Sequence, residues 1–519
     1  MVLAKINKII HPTNQLEVIG LILIALGILF GFFTRIIAVF TYNTFDIGPD
    51  PDQIRDAFIY MGIWSGKFPH LGPWASQGNY YLPPLYYYLV FPFTIFGPNP
   101  VYQALANGVF SFLSILLLMY LVYLLLPNLA RDQRIFLAGV AGFWYSTIFP
   151  EIFISNFNFN PSPTPFFLLL FVLLYNYQMT SQASLPKQVI AWIASGIVLA
   201  ILVSLHSSTL FVMPVVFIIT SLWFIYQKRQ DKYHFLLPIV AVIATNLALL
   251  LYWKIEIASN FNNSRKIRQL ITSSSEQTSL WSKLLVIKDY LELGQQAYFI
   301  GESSLSVWLS AIFIVAVTLL GLIKFKGNQV ILGCLMLTWL IFLYAAANFQ
   351  GQYFFITYKL LILFAPIIFT VLTLGNQFIP KVVKLIIIGL IVLSISINLH
   401  HTSKYLASKY GQHRVMAVND VVNILAAIPP ESRICYPEKT GKREVHNQYD
   451  YLDTYITKRN LIITPDCQQG DYYISAKYKL VIPLTNIWPV LEIEENNILF
   501  EQANLFLDTS TAYVYPLDK

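Results

Sequence analysis

The sequence predicts an α-helical polytopic membrane protein of about eleven transmembrane helices, with a small α/β domain at its C-terminal end. Three observations predict it. Of 519 residues, 56% are apolar, 15% aromatic and only 12% charged, against roughly 25% charged in a soluble domain. Mean hydropathy is +0.58, and apolar runs of about 18 residues or more, long enough to cross a bilayer core, recur along the first 400 positions. Beyond them the composition shifts, with 12 basic and 14 acidic residues after position 400. Together these exclude a soluble enzyme, a disordered chain and a disulfide-stapled secreted module. The net charge of +7 fits the basic loops that orient membrane proteins and calls for no nucleic acid.

The N-terminal Lys5 and Lys8 precede an apolar stretch from about Leu16 to Phe40. That is longer than the roughly 7–15 residues of a signal-peptide core, and it reads as a permanent first helix. Further apolar runs place spans near 102–126, 135–151, 162–178, 189–206, 209–226 and 235–253, then 304–323, 330–347, 354–374 and 384–399. Pro83 to Gly97 (PPLYYYLVFPFTIFG) is short and proline-rich, and reads either as a short span or as an interfacial helix.

Loop charge decides between the two. With 83–97 in the interface, one set of loops carries Lys5, Lys8, Arg131, Arg134, Lys187, Lys228, Arg229, Lys232, Lys324, Lys326, Lys381 and Lys384, against only Asp132 and Asp231. Short basic loops stay cytoplasmic. The N-terminus is therefore expected inside, and the long loops 42–101 and 254–303 outside with the tail. Residues 1–400 are expected to form the transmembrane domain and 401–519 an extracytoplasmic soluble domain. That domain opens with an amphipathic stretch, Val415 to Ile428, and continues in β-rich runs such as Tyr472–Ser475 and Lys479–Ile482. Cys334 falls within a span. Cys435 and Cys467 fall in the tail, where an oxidising compartment permits a disulfide.

Ionisable residues near the bilayer midplane cost roughly 2.5–3.5 kcal/mol and usually mark transport paths. Arg35, Glu151, His206, Glu256 and Lys359 instead gather toward the outer ends of their spans, as a chamber at the outer interface requires. The first loop is acidic: Asp46, Asp50, Asp52 and Asp56 lie within DIGPDPDQIRD. Asp50 fits an N-cap, Pro51 the first helical position and Gln53 a capping-box partner. Asp52 and Asp56 then share one face of a surface helix, with Arg55 between. Helix capping and the helix dipole account for such acids equally well in principle, but a cap is already present, which frees Asp52.

The run DQIRDAFIYMGIWSGKFPHLGP, followed by NYYLPPLYYYLVFPFTIFG, resembles the first outer loop of the GT-C superfamily of membrane glycosyltransferases, nearest to its protein O-mannosyltransferase and lipid A aminoarabinose transferase members. FPEIFISNFNFNPSPTPFFLLL, SLHSS and QYFFITYKLLILFAP follow in the order found there, so the resemblance covers about the first 370 residues. It implies a GT-C-like fold and transfer of a sugar from a polyprenyl-phosphate donor to an extracytoplasmic acceptor, with inversion. The motif acid, the base, maps onto Asp52, and Glu151 matches the second acid near the third span. Gln53 stands where a second adjacent carboxylate is common, and Lys359 stands in for an arginine near the tyrosine-rich segment.

The chemistry agrees. A hydroxyl attacking a sugar carbon needs a base within hydrogen-bond reach, worth roughly 10²–10⁴ in rate, and the departing phosphate needs cationic donors. Asp52, Asp56 and Glu151 are the candidate catalytic residues. Arg55, Lys359, Arg265 and Arg268 are candidates for phosphate, and Asp50, Tyr81, Tyr86, His206 and Tyr353 for other substrate contacts. Anionic headgroups for the 265–268 cluster, an interfacial aromatic belt for the tyrosines and a helix-end role for His206 stay open. No cofactor is expected; a divalent cation is compatible with the sequence but not implied by it. The expected partners are the donor lipid, the bilayer and an acceptor that is lipid, glycan or protein. Two other classes remain: a glycan ligase or polymerase using a diphosphate-linked donor, and a transporter or flippase of lipid-linked sugars. The compact loops point to a bacterial plasma membrane.

Overall fold

The computed structural model describes residues 14–42, 52–75, 79–230, 233–275, 298–299, 304–323, 327–348, 360–407, 418–435, 451–464, 472–476, 478–481, 490–493, 507–508 and 512–516. Asp50, Tyr353, Lys359 and Cys467 lie outside the described residues.

Helices lie within each stretch in which a span was expected; of the stretch 354–374, residues 354–359 lie outside the described residues. Helix α1 (Gln15–Phe32) starts at Asn14, whose side chain accepts the Glu17 N–H, and runs into a π-helical turn, Phe33–Ile37, and a further turn, Val39–Tyr42. After the first loop come α2 (Asp52–Trp64) and α3 (Leu85–Val90), the latter continued by a 3-10 turn, Phe91–Phe96. The bundle continues through α4 (Pro100–Leu125), α5 (Arg131–Thr147), α6 (Phe149–Ser155), α7 (Thr164–Thr180), α8 (Leu185–Leu205) and α9 (Ser207–Gln227). Next are α10 (Leu236–Ala248), α11 (Leu250–Ala258), α12 (Asn262–Ser275), α13 (Ser304–Leu322), α14 (Gln329–Asn348), α15 (Leu360–Gly375) and α16 (Lys381–Ala407).

Five single helices among the described residues are long and apolar enough to cross a membrane, or up to seven if each of two bent pairs forms one span. The outer surface of the bundle is apolar: Leu29, Ile190 and Val382 are 67%, 65% and 68% exposed. Apolar surface on that scale needs lipid to cover it, so the chain is an integral membrane protein. Between the helices, small residues permit close approach: a Cβ on Gly139 would meet the Gly20 carbonyl oxygen at 2.5 Å. An ion pair between Arg131 and the buried Glu17, at 2.8 Å, ties the start of α5 to the start of α1.

Two stretches differ from the straight spans expected. The segment expected at 135–151 breaks at Ile148, where α5 and α6 meet at 60°, and the one at 235–253 breaks at Leu249, with 67° between α10 and α11. Glu151 therefore sits on a separate short helix and not at the end of a continuous one.

C-terminal to the bundle, α17 (Val418–Ala427) follows, with β1 (Arg433–Cys435), β2 (Ile462–Thr464), β3 (Tyr472–Ala476), β4 (Tyr478–Val481), β5 (Val490–Ile493), β6 (Leu507–Asp508) and β7 (Ala512–Pro516). The mixed sheet has the order β2-β1-β3-β7-β6. Strand β1 lies parallel to β2 and β3, with Ile434 opposite Ile463 and Tyr472. Strand β7 is antiparallel to β3, with Tyr473 opposite Tyr515, while β4 and β5 form a separate hairpin. Tyr451 leads into a π-helical turn, Asp453–Thr457, and its hydroxyl donates to the Pro98 carbonyl at 2.7 Å. Its ring meets Phe58 of α2 edge-on at 5.2 Å.

Candidate active site

Helix α2 places Asp52, Arg55 and Asp56 on adjacent turns because positions three and four apart share a helix face. Arg55 lies between the two carboxylates. Its Nη1 donates to Asp52 Oδ1 at 2.5 Å, and its Nε and Nη2 both donate to Asp56 Oδ1, at 2.9 and 2.7 Å. The Tyr87 hydroxyl of α3 donates to the same Asp56 oxygen at 3.0 Å. The environments of the two acids differ sharply: the Asp56 side chain is 2% exposed and that of Asp52 41%. Burial pushes the Asp56 carboxyl above the ordinary aspartate range, against the opposing pull of Arg55 and the Tyr87 hydroxyl. The guanidinium of Arg55 is held charged by the carboxylates, its affinity for the proton raised above the usual arginine value despite the cost of burial. The result is one fixed, buried carboxylate behind a cation, and one accessible carboxylate in front of it.

Tyr86 is fully buried. Its hydroxyl donates to Asn158 Oδ1 at 2.5 Å and accepts from Asn107 Nδ2 at 3.4 Å. Asn107 also donates to the Phe157 and Phe159 carbonyls, at 3.0 and 3.1 Å. The residues after α6 are thus stitched to α3 and α4 by buried asparagines. Sequence reasoning passed over Asn107 and Asn158, and read Tyr87 only within the tyrosine group suited to sugar, lipid or an interfacial belt, not as a partner of Asp56. The alternation of Asn156, Asn158 and Asn160 within an apolar stretch was the signal available, since buried amides must find partners.

Glu151 forms a second centre. It is 3% exposed, and its Oε2 accepts from the Tyr145 hydroxyl at 3.1 Å. Its Oε1 is buried with no hydrogen-bond partner among the described residues. Arg35, also fully buried, donates to the carbonyls of Ser146 at 2.8 Å and Tyr145 at 3.3 Å, and to Ser111 Oγ at 3.0 Å. It therefore satisfies the carbonyl end of α5 where that helix breaks. Between Arg35 and Glu151 there is no direct ion pair.

The other sequence candidates lie elsewhere. His206 caps α9: its Nδ1 accepts the Ser208 N–H at 3.0 Å, which leaves the proton of the neutral ring on Nε2. The backbone N–H of Tyr81 donates to Asn263 Oδ1 at 2.7 Å, and its carbonyl accepts from Asn263 Nδ2 at 2.6 Å. Asn263 belongs to α12, so the first loop is tied to the helix bearing Arg265 and Arg268. Both arginines are exposed, and neither is ion-paired among the described residues. Glu256, the end-of-span acid, receives the backbone N–H groups of Asn263 and Ser264 at 3.3 and 2.9 Å, anchoring the start of α12. Among the described residues, no group of three His, Cys, Asp or Glu side chains is placed to hold a metal ion.

No family model matches the sequence, and no curated protein matches it. Among solved structures, ArnT from Cupriavidus metallidurans in the apo state aligns over 95% of this chain and 97% of its own, at 12% identity and a TM-score of 0.50. The same protein bound to undecaprenyl phosphate aligns over the same shares, at 11% identity and a TM-score of 0.49. The archaeal oligosaccharyltransferase AglB from Archaeoglobus fulgidus, in complex with an inhibitory peptide and a dolichol-phosphate, aligns over 78% of this chain and 57% of its own, at 15% identity and a TM-score of 0.46. The likeness to apo ArnT shows a shared fold over nearly the whole of both chains.

Proposed function

We propose that this protein is an integral membrane glycosyltransferase that moves a sugar from a polyprenyl-phosphate donor to an acceptor hydroxyl on the extracytoplasmic face, with inversion. The observation that supports it most directly is the α2 triplet. A half-exposed Asp52 stands one turn from a cation, Arg55, whose other side is fixed by the buried Asp56, itself held by the Tyr87 hydroxyl. Such a pairing suits a transfer in which one proton leaves the acceptor as negative charge develops on the leaving phosphate.

In this reading Asp52 takes the acceptor proton, and the acceptor oxygen bonds the anomeric carbon from the face opposite the phosphate. The bond from that carbon to the phosphate oxygen breaks, and its electron pair leaves with the polyprenyl phosphate. Arg55 stabilises that charge, with Lys359, Arg265 and Arg268 as further phosphate contacts and Tyr81, Tyr353, His206 and Asp50 around the sugar or acceptor. An incoming phosphate competes with Asp52 for Arg55 Nη1, so donor binding uncovers the base. Tyr86 acts through the asparagine-rich loop, and Glu151 supports the acceptor side. The domain assignment is part of the proposal: residues 1–400 form the catalytic membrane domain, with eleven spans and the basic loops cytoplasmic, and 401–519 form an extracytoplasmic domain. The membrane is a bacterial plasma membrane.

The test uses purified protein in lipid discs, a panel of polyprenyl-phosphate sugars and a membrane extract as acceptor source. Wild type should release polyprenyl phosphate from one donor, and Asp52→Asn should slow release by roughly 10²–10⁴. Donor binding without release, or release that Asp52→Asn leaves intact, counts against the reading. Binding without release would favour a transporter or a diphosphate-donor enzyme.

A further inference from the structure

At the 60° break between α5 and α6 both helices lose backbone partners, and each loose end needs an outside group. Arg35 meets the carbonyl end. The N–H end is met from the far side of the sequence: Asn398 of α16 accepts the Phe149 N–H on its Oδ1 at 2.8 Å. Asn398 is fully buried, and its Nδ2 donates to the carbonyls of Tyr298 at 3.2 Å and Ser394 at 2.9 Å. Its amide orientation is thereby fixed, because a flip would set donors against the Phe149 N–H and an acceptor against two carbonyls. One turn earlier, Ser394 donates to the same Tyr298 carbonyl at 2.7 Å and accepts from Trp144 Nε1 of α5 at 2.9 Å. Further along, the Tyr405 ring packs 5.9 Å from both Phe149 and Phe153. A single face of α16 thus follows the chain around the break, and Glu151 lies two residues past the capped N–H.

We propose that Asn398 is a positioning residue for Glu151: by capping Phe149 it sets the angle at which α6 leaves α5, and so where the Oε1 of Glu151, unpartnered among the described residues, points. Only the kinetic arm of its test rests on the glycosyltransferase reading.

Asn398→Leu keeps the volume and removes the acceptor and both donors, whereas Asn398→Asp keeps an acceptor for Phe149. In lipid discs, amide hydrogen exchange over 146–155 should quicken in Asn398→Leu, with α8 and α9 unchanged. The infrared carboxyl band of Glu151, isolated by difference from the matching Glu151→Gln protein, should titrate with its midpoint moved by about one pH unit, a tenfold change in proton affinity. Asn398→Asp should move both readouts less. An unchanged Glu151 midpoint in Asn398→Leu, or equal shifts in the two variants, overturns the proposal. Where Asn398→Leu does not fold, the same titration of Asn398→Ser decides. If wild type releases polyprenyl phosphate, Asn398→Leu should lower kcat about tenfold or more with KM unchanged, the kind of loss a misplaced reacting group causes. It should add nothing to the loss in Glu151→Gln, and additive losses overturn the proposal. A wild type without turnover would defeat the glycosyltransferase reading, while exchange and titration would still decide the role of Asn398.

Discussion

One helical turn separates Asp52 from Asp56, and burial divides their work: the first faces solvent beside Arg55, the second is sealed behind it. Asp56→Asn removes the charge that fixes two of the Arg55 donors. It should weaken turnover through donor binding, with KM rising, since Arg55 is then fixed by Asp52 alone. The pH behaviour separates structure from function. Because burial raises the folded Asp56 value, its titration adds stability below the ordinary aspartate value, and that share fades as pH climbs through the raised one. Turnover runs the other way, since only the ionised form holds Arg55. On acidification wild type should lose turnover above the ordinary carboxylate range while gaining thermal stability relative to Asp56→Asn. Asp56→Asn should lack both effects, and a thermal melt series beside an activity profile would show it. The sequence made the spacing of these acids legible, along with the candidate base. It did not show which acid is buried, because the lid over Asp56 is Tyr87, brought in from 31 residues away by the hairpin-like path of the first loop.

At the scale of elements, hydropathy located the helices and missed how two of them bend. Pro150 is the second residue of α6, a position where proline is ordinary, so an apolar run through 135–151 looks continuous. What permits the bend is distant: Arg35 from α1's π-turn and Asn398 from α16 supply the partners that the broken backbone lacks. Close packing of α1 on α5 keeps Arg35 at that break. Gly139→Val would drive a side chain into the Gly20 carbonyl, within 2.5 Å of the Cβ position. Overpacking of this kind costs about 1–3 kcal/mol, and the expected result is a lowered melting temperature in lipid discs with turnover reduced as well. Gly389→Ala, at a position with open space beside it, should leave both unchanged. The asparagine cluster at 156–160 was legible as composition but not as contact, since its partners on α3 and α4 come from separate stretches of chain.

For the whole molecule, charge bias and composition carried most of the reading. The shift after position 400 marked a different kind of structure: Tyr472–Ser475 falls on β3 and Lys479–Val481 on β4, while Ile482 lies outside the described residues. The strand order was not legible, because β7 returns from the end of the chain to pair beside β3, and pairings at that range leave no local pattern. The sidedness is directly testable. In a background lacking Cys334, Cys435 and Cys467, an impermeant thiol reagent applied to intact cells should label Ser65→Cys at the end of α2. It should spare Ser184→Cys, between α7 and α8, until the cells are opened. Labelling in the reverse order would invert the proposed topology. The contact of Tyr451 with Phe58 and the Pro98 carbonyl also bears on the order of synthesis. Chains emerge N-terminus first, so nearly four hundred residues separate the appearance of Phe58 from that of the ring that covers it. Until translation reaches Tyr451, Phe58 lacks the ring that meets it edge-on in the finished chain, so this contact between the first loop and the tail closes only late in synthesis.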